Sequence, residues 1–272
     1  MVRSGNKYIV LLIVSFSFAS KILNAKVWQD PVEDYTLECG IPGGRLTLAI
    51  TGDPKSFNPI VAKETSTTQI TAYLFEGLTK QDPRTLEVLP NLARRWHTDD
   101  GIAWTFYLRD DVYFSDGKHF SADDVVFTFN ELIYNPDIPS SSRDILTIEG
   151  KKIIVEKVDA YTVKITLPSV FSPFLRAVGG VEILPKHKYH TLVSEKKFNF
   201  SMGLGSKTSD IVGSGPFLLR RYLPSQQVVL EKNPYYWQKD VCGRQLPYLE
   251  EIVFIILANP ETVLLKFLEK EI

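Results

Sequence analysis

The stretch Ala103–Asn130, AWTFYLRDDVYFSDGKHFSADDVVFTFN, constrains the fold more than any other part of the chain. Trp104, Phe106 and Leu108 alternate with Thr105 and Tyr107, the period-2 pattern of a strand with one face in a core. Asp116-Gly117 marks a turn, because glycine takes positive φ at no steric cost. Ser121 stands where a helix N-cap belongs, and Asp123 and Asp124 follow in the first turn, near the positive end of the helix dipole. Val125, Phe129, Leu132 and Ile133 recur at helical spacing and predict a buried face. Strand, tight turn and capped helix in this order predict a mixed α/β protein.

Elsewhere the same two periods alternate. Arg45–Ile50 reads as a strand through Leu46, Leu48 and Ile50. Ser66 and Gln69 fit a capping box, and the helix behind them presents Ile70, Tyr73 and Leu74 on one side. Lys152–Leu167 predicts a hairpin around Asp159-Ala160, with Val163, Ile165 and Leu167 alternating. Phe217–Tyr222 and Gln227–Glu231 predict a second hairpin. Ile252–Leu257 is apolar without interruption, as in a central strand buried on both faces. Asn259 then caps a helix with Pro260 at its first position, whose inner face is Val263, Leu264, Phe267 and Leu268.

At 272 residues the chain can bury one large core or two modest ones. A formal net charge of −1 argues against a nucleic-acid binder, which would show a basic stripe. Residues 1–25 read as a secretory signal peptide: Arg3 and Lys7 supply the positive start and Tyr8–Ala19 the apolar run. Ala25, or the Ala19-Ser20 pair, offers a small residue for cleavage, and an uncut membrane anchor is the competing reading. Residues 26–44 read as an irregular N-terminal arm. Cys39 lies too far beyond the apolar run for lipidation, which favours a periplasmic protein over a lipoprotein. The two cysteines, Cys39 and Cys242, form an even count in an exported chain and permit one disulfide, tethering the arm to the loop after Trp237; two buried thiols are the alternative.

Several segments together carry a family resemblance. The FSDG turn and capped SADDV helix start are joined by PGGRLTLAI (Pro42–Ile50), DPKSFNP (Asp53–Pro59), LFEGLTKQDP (Leu74–Pro83) and LPNLARRW (Leu89–Trp96). VGSGPFLLRRY (Val212–Tyr222), LEKNPYYW (Leu230–Trp237) and LPYLEEIVF (Leu246–Phe254) follow in order. From Gly43 nearly to its end, the chain resembles the family 5 extracellular solute-binding proteins, the dipeptide- and oligopeptide-binding subunits of bacterial ABC importers.

The resemblance implies a periplasmic binding protein type II-like fold: a lobe I core from residues 45–61 and 182–272, and an inserted α+β subdomain from 62–181. It also implies that the chain stops before the second lobe, as a fragment or half of a split gene. The implied function is capture of a peptide or other small solute in an interlobe cleft, for delivery to ABC permease subunits, without a cofactor.

Two stretches are implied as cleft-lining. Thr51, Gly52, Asp53, Ser56 and Phe57 follow the first strand, where loops line crevices in α/β sheets, although Gly52, Asp53 and Pro54 also suit a plain turn. Gly213, Ser214 and Gly215 either let backbone approach a ligand or make a tight strand start with positive φ. Tyr73 is a weaker candidate, such a tyrosine being more often core.

No catalytic or metal constellation stands out. His187 and His190 share a helix face, but Lys186 and Lys188 would repel a cation and no carboxylate sits at ligand spacing. Adjacent Asp123 and Asp124 point apart on a helix, so capping explains them better than paired acid chemistry. Gly213-x-Gly215 lacks the lysine of a phosphate loop, and Gly203-Leu204-Gly205-Ser206 lacks the spacing of a nucleophile elbow. A secreted hydrolase is the remaining alternative function, resting on no local motif.

Overall fold

A computed structural model describes residues 39–272; the expected signal peptide and most of the arm lie outside the described residues. The chain opens with strand β1 (Arg45–Ile50) and helix α1 (Thr65–Thr71), then four strands, β2 (Thr79–Gln81), β3 (Val88–Pro90), β4 (Ala93–His97) and β5 (Ala103–Leu108). Helix α2 (Ala122–Phe127) runs on into a π-helical turn at Thr128–Ile133, and α3 (Ser141–Ile145) follows. Strands β6 (Thr147–Ile148), β7 (Lys151–Lys152), β8 (Ile154–Asp159) and β9 (Thr162–Thr166) precede α4 (Phe174–Gly179) and α5 (Lys186–Ser194). The chain ends with β10 (Phe217–Leu223), β11 (Gln227–Lys232), β12 (Glu251–Ile256) and α6 (Pro260–Leu268).

Two four-stranded sheets organise these elements. The first runs β1-β12-β11-β10, with β1 parallel to β12 and the other pairs antiparallel. The second runs β4-β5-β9-β8, antiparallel throughout. The first thus joins the start of the chain to residues more than two hundred positions later, Arg45 pairing with Glu251 and Ile50 with Ile256.

The strand-turn-helix stretch forms as its residues dictate. Trp104, Phe106 and Leu108 are buried while Thr105 and Tyr107 are partly exposed. Gly117 takes φ +78° in the turn. The Ser121 hydroxyl accepts from the Asp123 N–H, and Asp124 accepts from the Ser121 N–H at 2.9 Å, completing a capping box. Asp124 also accepts from the Lys186 N–H at 2.9 Å, so the cap ties α2 to α5; desolvation raises its carboxyl above the usual range. Both predicted hairpins are present, the second with a bulge between Leu219 and Arg221.

Three expectations fail locally. The capping box at Ser66–Gln69 does not form: Glu64 is the N-cap and gives no side-chain bond, and the Ser66 hydroxyl instead donates to the Asp53 carbonyl at 3.1 Å. A tertiary acceptor wins over the local one. In β12 only Ile252, Val253 and Phe254 are buried; Ile255 and Ile256 are partly open, so the strand is not enclosed along its length. The inner face expected of α6 is mostly exposed, with only Val263 half-buried. Its cap forms, Asn259 accepting from the Glu261 N–H at 2.7 Å, but Leu264, Leu265, Phe267 and Leu268 are 59–66% exposed.

Cys39 and Cys242 are joined as a disulfide with Cα atoms 5.9 Å apart. Around it, the Tyr248 hydroxyl accepts from the Gly40 N–H and donates to Asp240 at 2.7 Å. Among the described residues, the grouping with metal-ligand chemistry is Cys39, Asp240 and Cys242, and the disulfide consumes its sulfurs.

Candidate functional site

Helix α1 is the pivot of the region the sequence singles out. Its N-terminal end holds the loop after β1. The Lys55 N–H donates to Thr67 Oγ1 at 3.1 Å, beside the Ser66–Asp53 bond. On the other side of the loop, Asp53 accepts from the Tyr222 hydroxyl at 2.6 Å and from the Ser225 N–H at 2.8 Å, at the tip of the β10–β11 hairpin. These bonds, the one from Tyr222 foremost, hold the Asp53 carboxyl below its usual range and keep it ionised. The tyrosine is pushed up to about 12, chiefly by desolvation and by that carboxylate. Ser56 donates to the Met202 carbonyl at 3.2 Å, and buried Phe57 meets Tyr222 edge-on at 5.8 Å.

The loop is therefore clamped from both sides, with Thr51 exposed and Gly52, Asp53 and Ser56 partly exposed. Phe57 is 1% exposed and is a core residue, not a cleft-lining one. The apolar ring follows the burial of its neighbours Asn58 and Ile60 rather than the exposure of Thr51.

The C-terminal end of α1 receives the second stretch. The Gly215 N–H donates to the Leu74 carbonyl and the Phe217 N–H to the Tyr73 carbonyl, both at 3.0 Å. A Cβ on Gly213 would stand 2.1 Å from the Leu74 carbonyl oxygen, and one on Gly215 2.4 Å from that of Tyr73. Neither glycine has positive φ. Their need for glycine comes from close approach of the chain's own backbone, not of a ligand. Ser214 is fully buried between them, so Gly213, Ser214 and Gly215 form a packing joint in place of the expected ligand surface. Tyr73 is partly buried against Phe217 and Phe254, at 6.0 and 5.8 Å.

Beside this joint lies a cavity of about 410 Å³ whose walls include Tyr73, Phe75, Glu76, Asn91, Glu182 and Tyr236. Glu76 is its chemical centre. Its carboxylate accepts from Trp237 Nε1 at 2.9 Å and from the Tyr236 hydroxyl at 3.1 Å. Burial pushes the carboxyl up to about 7, against the opposing pull of the Trp237 bond, Lys80, the Tyr236 bond and Arg109. The Arg109 guanidinium stacks on the Trp237 ring at 4.0 Å and donates from Nε to the Asn91 carbonyl at 2.9 Å. At the wall, Lys63 pairs with Glu182 at 2.9 Å.

Of the residues expected from sequence, only Tyr73 reaches this cavity. Glu76, Asn91, Tyr236 and Trp237 were overlooked as site residues, yet each lies in a matched segment: LFEGL, LPNLARRW or LEKNPYYW. The segments carrying the resemblance are largely those that meet here, across 161 positions in the case of Glu76 and Trp237. His187 and His190 lie elsewhere, contacting Asp116 at 2.7 Å and Glu131 at 2.9 Å on other elements.

Comparison with known proteins identifies the family. The family described as bacterial extracellular solute-binding proteins, family 5, middle region, matches residues 87–272. A probable ABC transporter-binding protein of Deinococcus radiodurans is 31% identical over 236 residues, covering 83% of this chain and 39% of that protein. A periplasmic alpha-galactoside-binding protein of Rhizobium meliloti is 29% identical over 227 residues, covering 78% of this chain and 33% of that one. Among solved structures, the ABC transporter-associated periplasmic binding protein DppA of Helicobacter pylori, in complex with peptide STSA, superposes with a TM-score of 0.71 at 27% identity. That overlap takes in 85% of this chain and 46% of the other. The chain thus spans less than half the length of these relatives, each of which is named a binding protein. The fold is that of the type II periplasmic binding proteins, and the chain belongs to the family 5 bacterial extracellular solute-binding proteins.

Proposed function

We propose that this chain acts in a substrate-binding subunit of an ABC importer, which captures a peptide or other small solute and delivers it to a membrane permease. The observation that carries the reading is the superposition on a binding protein that holds a peptide. Such proteins work by closure of two lobes around a ligand, and no bond is broken. The periplasm is the proposed compartment; no described helix is long and apolar enough to cross a membrane.

In this reading residues 45–61 and 182–272 are the lobe I core and 62–181 the inserted subdomain. The membership of β1 and β10–β12 in one sheet and of β4, β5, β8 and β9 in another supports that division. Thr51, Gly52, Asp53, Ser56 and Tyr73 are the proposed ligand-facing residues, the first four because they lie at the carboxyl end of β1 with surface exposed. The relatives' names include both peptides and an alpha-galactoside, so the solute class rests on the peptide-bound neighbour.

Thermal unfolding of the purified chain, with and without a pool of di- to hexapeptides and separately with alpha-galactosides, tests the reading. A midpoint that rises with peptide supports it, since only binding to the folded state raises the midpoint. A rise with the sugar alone reassigns the solute. A cooperative transition indifferent to both overturns ligand binding by this chain on its own.

A further inference from the structure

We propose that Cys39 and Cys242, once reduced, form with Asp240 a site for a thiophilic divalent cation such as zinc. The site shares no residue with the proposed ligand-facing set, so it does not depend on the solute-binding reading.

Three donors converge here from two segments far apart in sequence. The two sulfurs and a carboxylate oxygen of Asp240 all lie within 4.8 Å of one another. Tetrahedral zinc, with Zn–S bonds of about 2.3 Å, needs its sulfurs about 3.8 Å apart. Cα atoms 5.9 Å apart leave room for that separation by side-chain rotation once the S–S bond is broken. Both cysteines are exposed, so a small dithiol and the ion reach them. The disulfide takes two electrons and two protons from the dithiol, which itself closes to a disulfide. The ion then displaces the two thiol protons to water and forms two metal–sulfur bonds.

Asp240 is held ready for the third bond. It is 7% exposed, and its Oδ1 accepts from the N–H groups of Cys242 and Arg244, both at 2.8 Å. Its Oδ2 accepts from the Tyr248 hydroxyl at 2.7 Å. A carboxylate has about four lone-pair sites, so one on Oδ2 is left for a metal. Ligating carboxylates are fixed by outer hydrogen bonds of this kind. Tyr248 also accepts from the Gly40 N–H at 2.8 Å, so the bonds around Asp240 reach both segments that carry the cysteines.

The neighbouring charge decides which ion fits. The Arg244 guanidinium donates to the Gly40 carbonyl beside the pair. It favours thiolates over thiols and opposes a cation bound by oxygen alone. Two thiolates, one carboxylate, a divalent ion and this guanidinium sum to zero charge. Soft sulfur donors select zinc-like ions over magnesium or calcium, which prefer oxygen ligands.

The test titrates cadmium, a spectroscopic stand-in for zinc, into the chain reduced by a dithiol that is then removed without oxygen. The expected result is an ultraviolet thiolate-to-metal absorption that saturates at one ion per chain and is reversed by zinc. Zinc should also raise the thermal midpoint of the reduced chain, since only binding to the folded state does so. The oxidised chain should show neither effect. Asp240→Asn should weaken the ion about tenfold or more. Cys39→Ser keeps Asp240 and its bonds and should abolish the one-to-one saturation. No saturable absorption, saturation at one ion per two chains, an affinity unchanged in Asp240→Asn, or one-to-one saturation retained in Cys39→Ser overturns the proposal. Peptide-dependent stabilisation is measured on the oxidised chain, so failure of either reading leaves the other standing.

Discussion

The Trp237 indole N–H donates to Glu76 Oε2 at 2.9 Å, joining the segment behind α1 to the loop behind β11 across 161 residues of sequence. This bond sets the first prediction. In the unfolded chain the Glu76 carboxyl titrates near 4.5, and in the fold burial pushes it up to about 7. Between those values the folded state holds the extra proton, so its stability falls as pH rises through the window and levels off above it. Glu76→Gln keeps an acceptor for Trp237 and removes the titration. Thermal unfolding from pH 4.5 to 8 should show a shallower fall in the variant than in the parent; equal slopes would contradict this account of Glu76.

Gly213 faces the Leu74 carbonyl oxygen too closely for a side chain, at 2.1 Å from an ideal Cβ. Gly213→Ala must push backbone against backbone, and overpacking of this kind costs about 1–3 kcal/mol or more. Gly52→Ala is the control, because its Cβ would meet nothing within 4 Å and its φ is unexceptional. Denaturant titration should show a clear loss for the first and little change for the second.

The disulfide between Cys39 and Cys242 closes a loop of 203 residues. Opening it by paired Cys→Ser substitution should cost about 2–5 kcal/mol, mainly by freeing the unfolded chain. The same loss should follow reduction of the parent and be absent when the double variant is treated with reductant. Free-thiol titration before and after reduction ties the change to this bond.

Phe267 and Leu264 on α6 are exposed despite their helical spacing. Replacing both with glutamate should leave the unfolding free energy within about 0.5 kcal/mol of the parent, as for surface substitutions generally. It should also reduce self-association in sedimentation, because contiguous exposed apolar surface promotes it. A large loss of stability would mean that α6 packs on the sheet.

Much of this protein is local and was legible in the residues. The β5 strand, the Gly117 turn, the Ser121–Asp124 cap and both hairpins follow from alternation, glycine conformation and neighbouring hydrogen bonds within a few positions. Even the α6 cap at Asn259 formed as its sequence dictates. Tertiary contacts decided the rest, because they set which partner each group meets. The Ser66 hydroxyl chose a carbonyl thirteen residues away over its own helix. Gly213 and Gly215 serve backbone packing, although their sequence reads equally well as a ligand loop. Glu76 looks like an ordinary surface acid until Trp237 and Tyr236 arrive from a distant loop, bond its carboxylate and leave it half-buried. Periodicity records which face of an element is apolar, but it carries no information on what covers that face, and α6 is the case where the two separate.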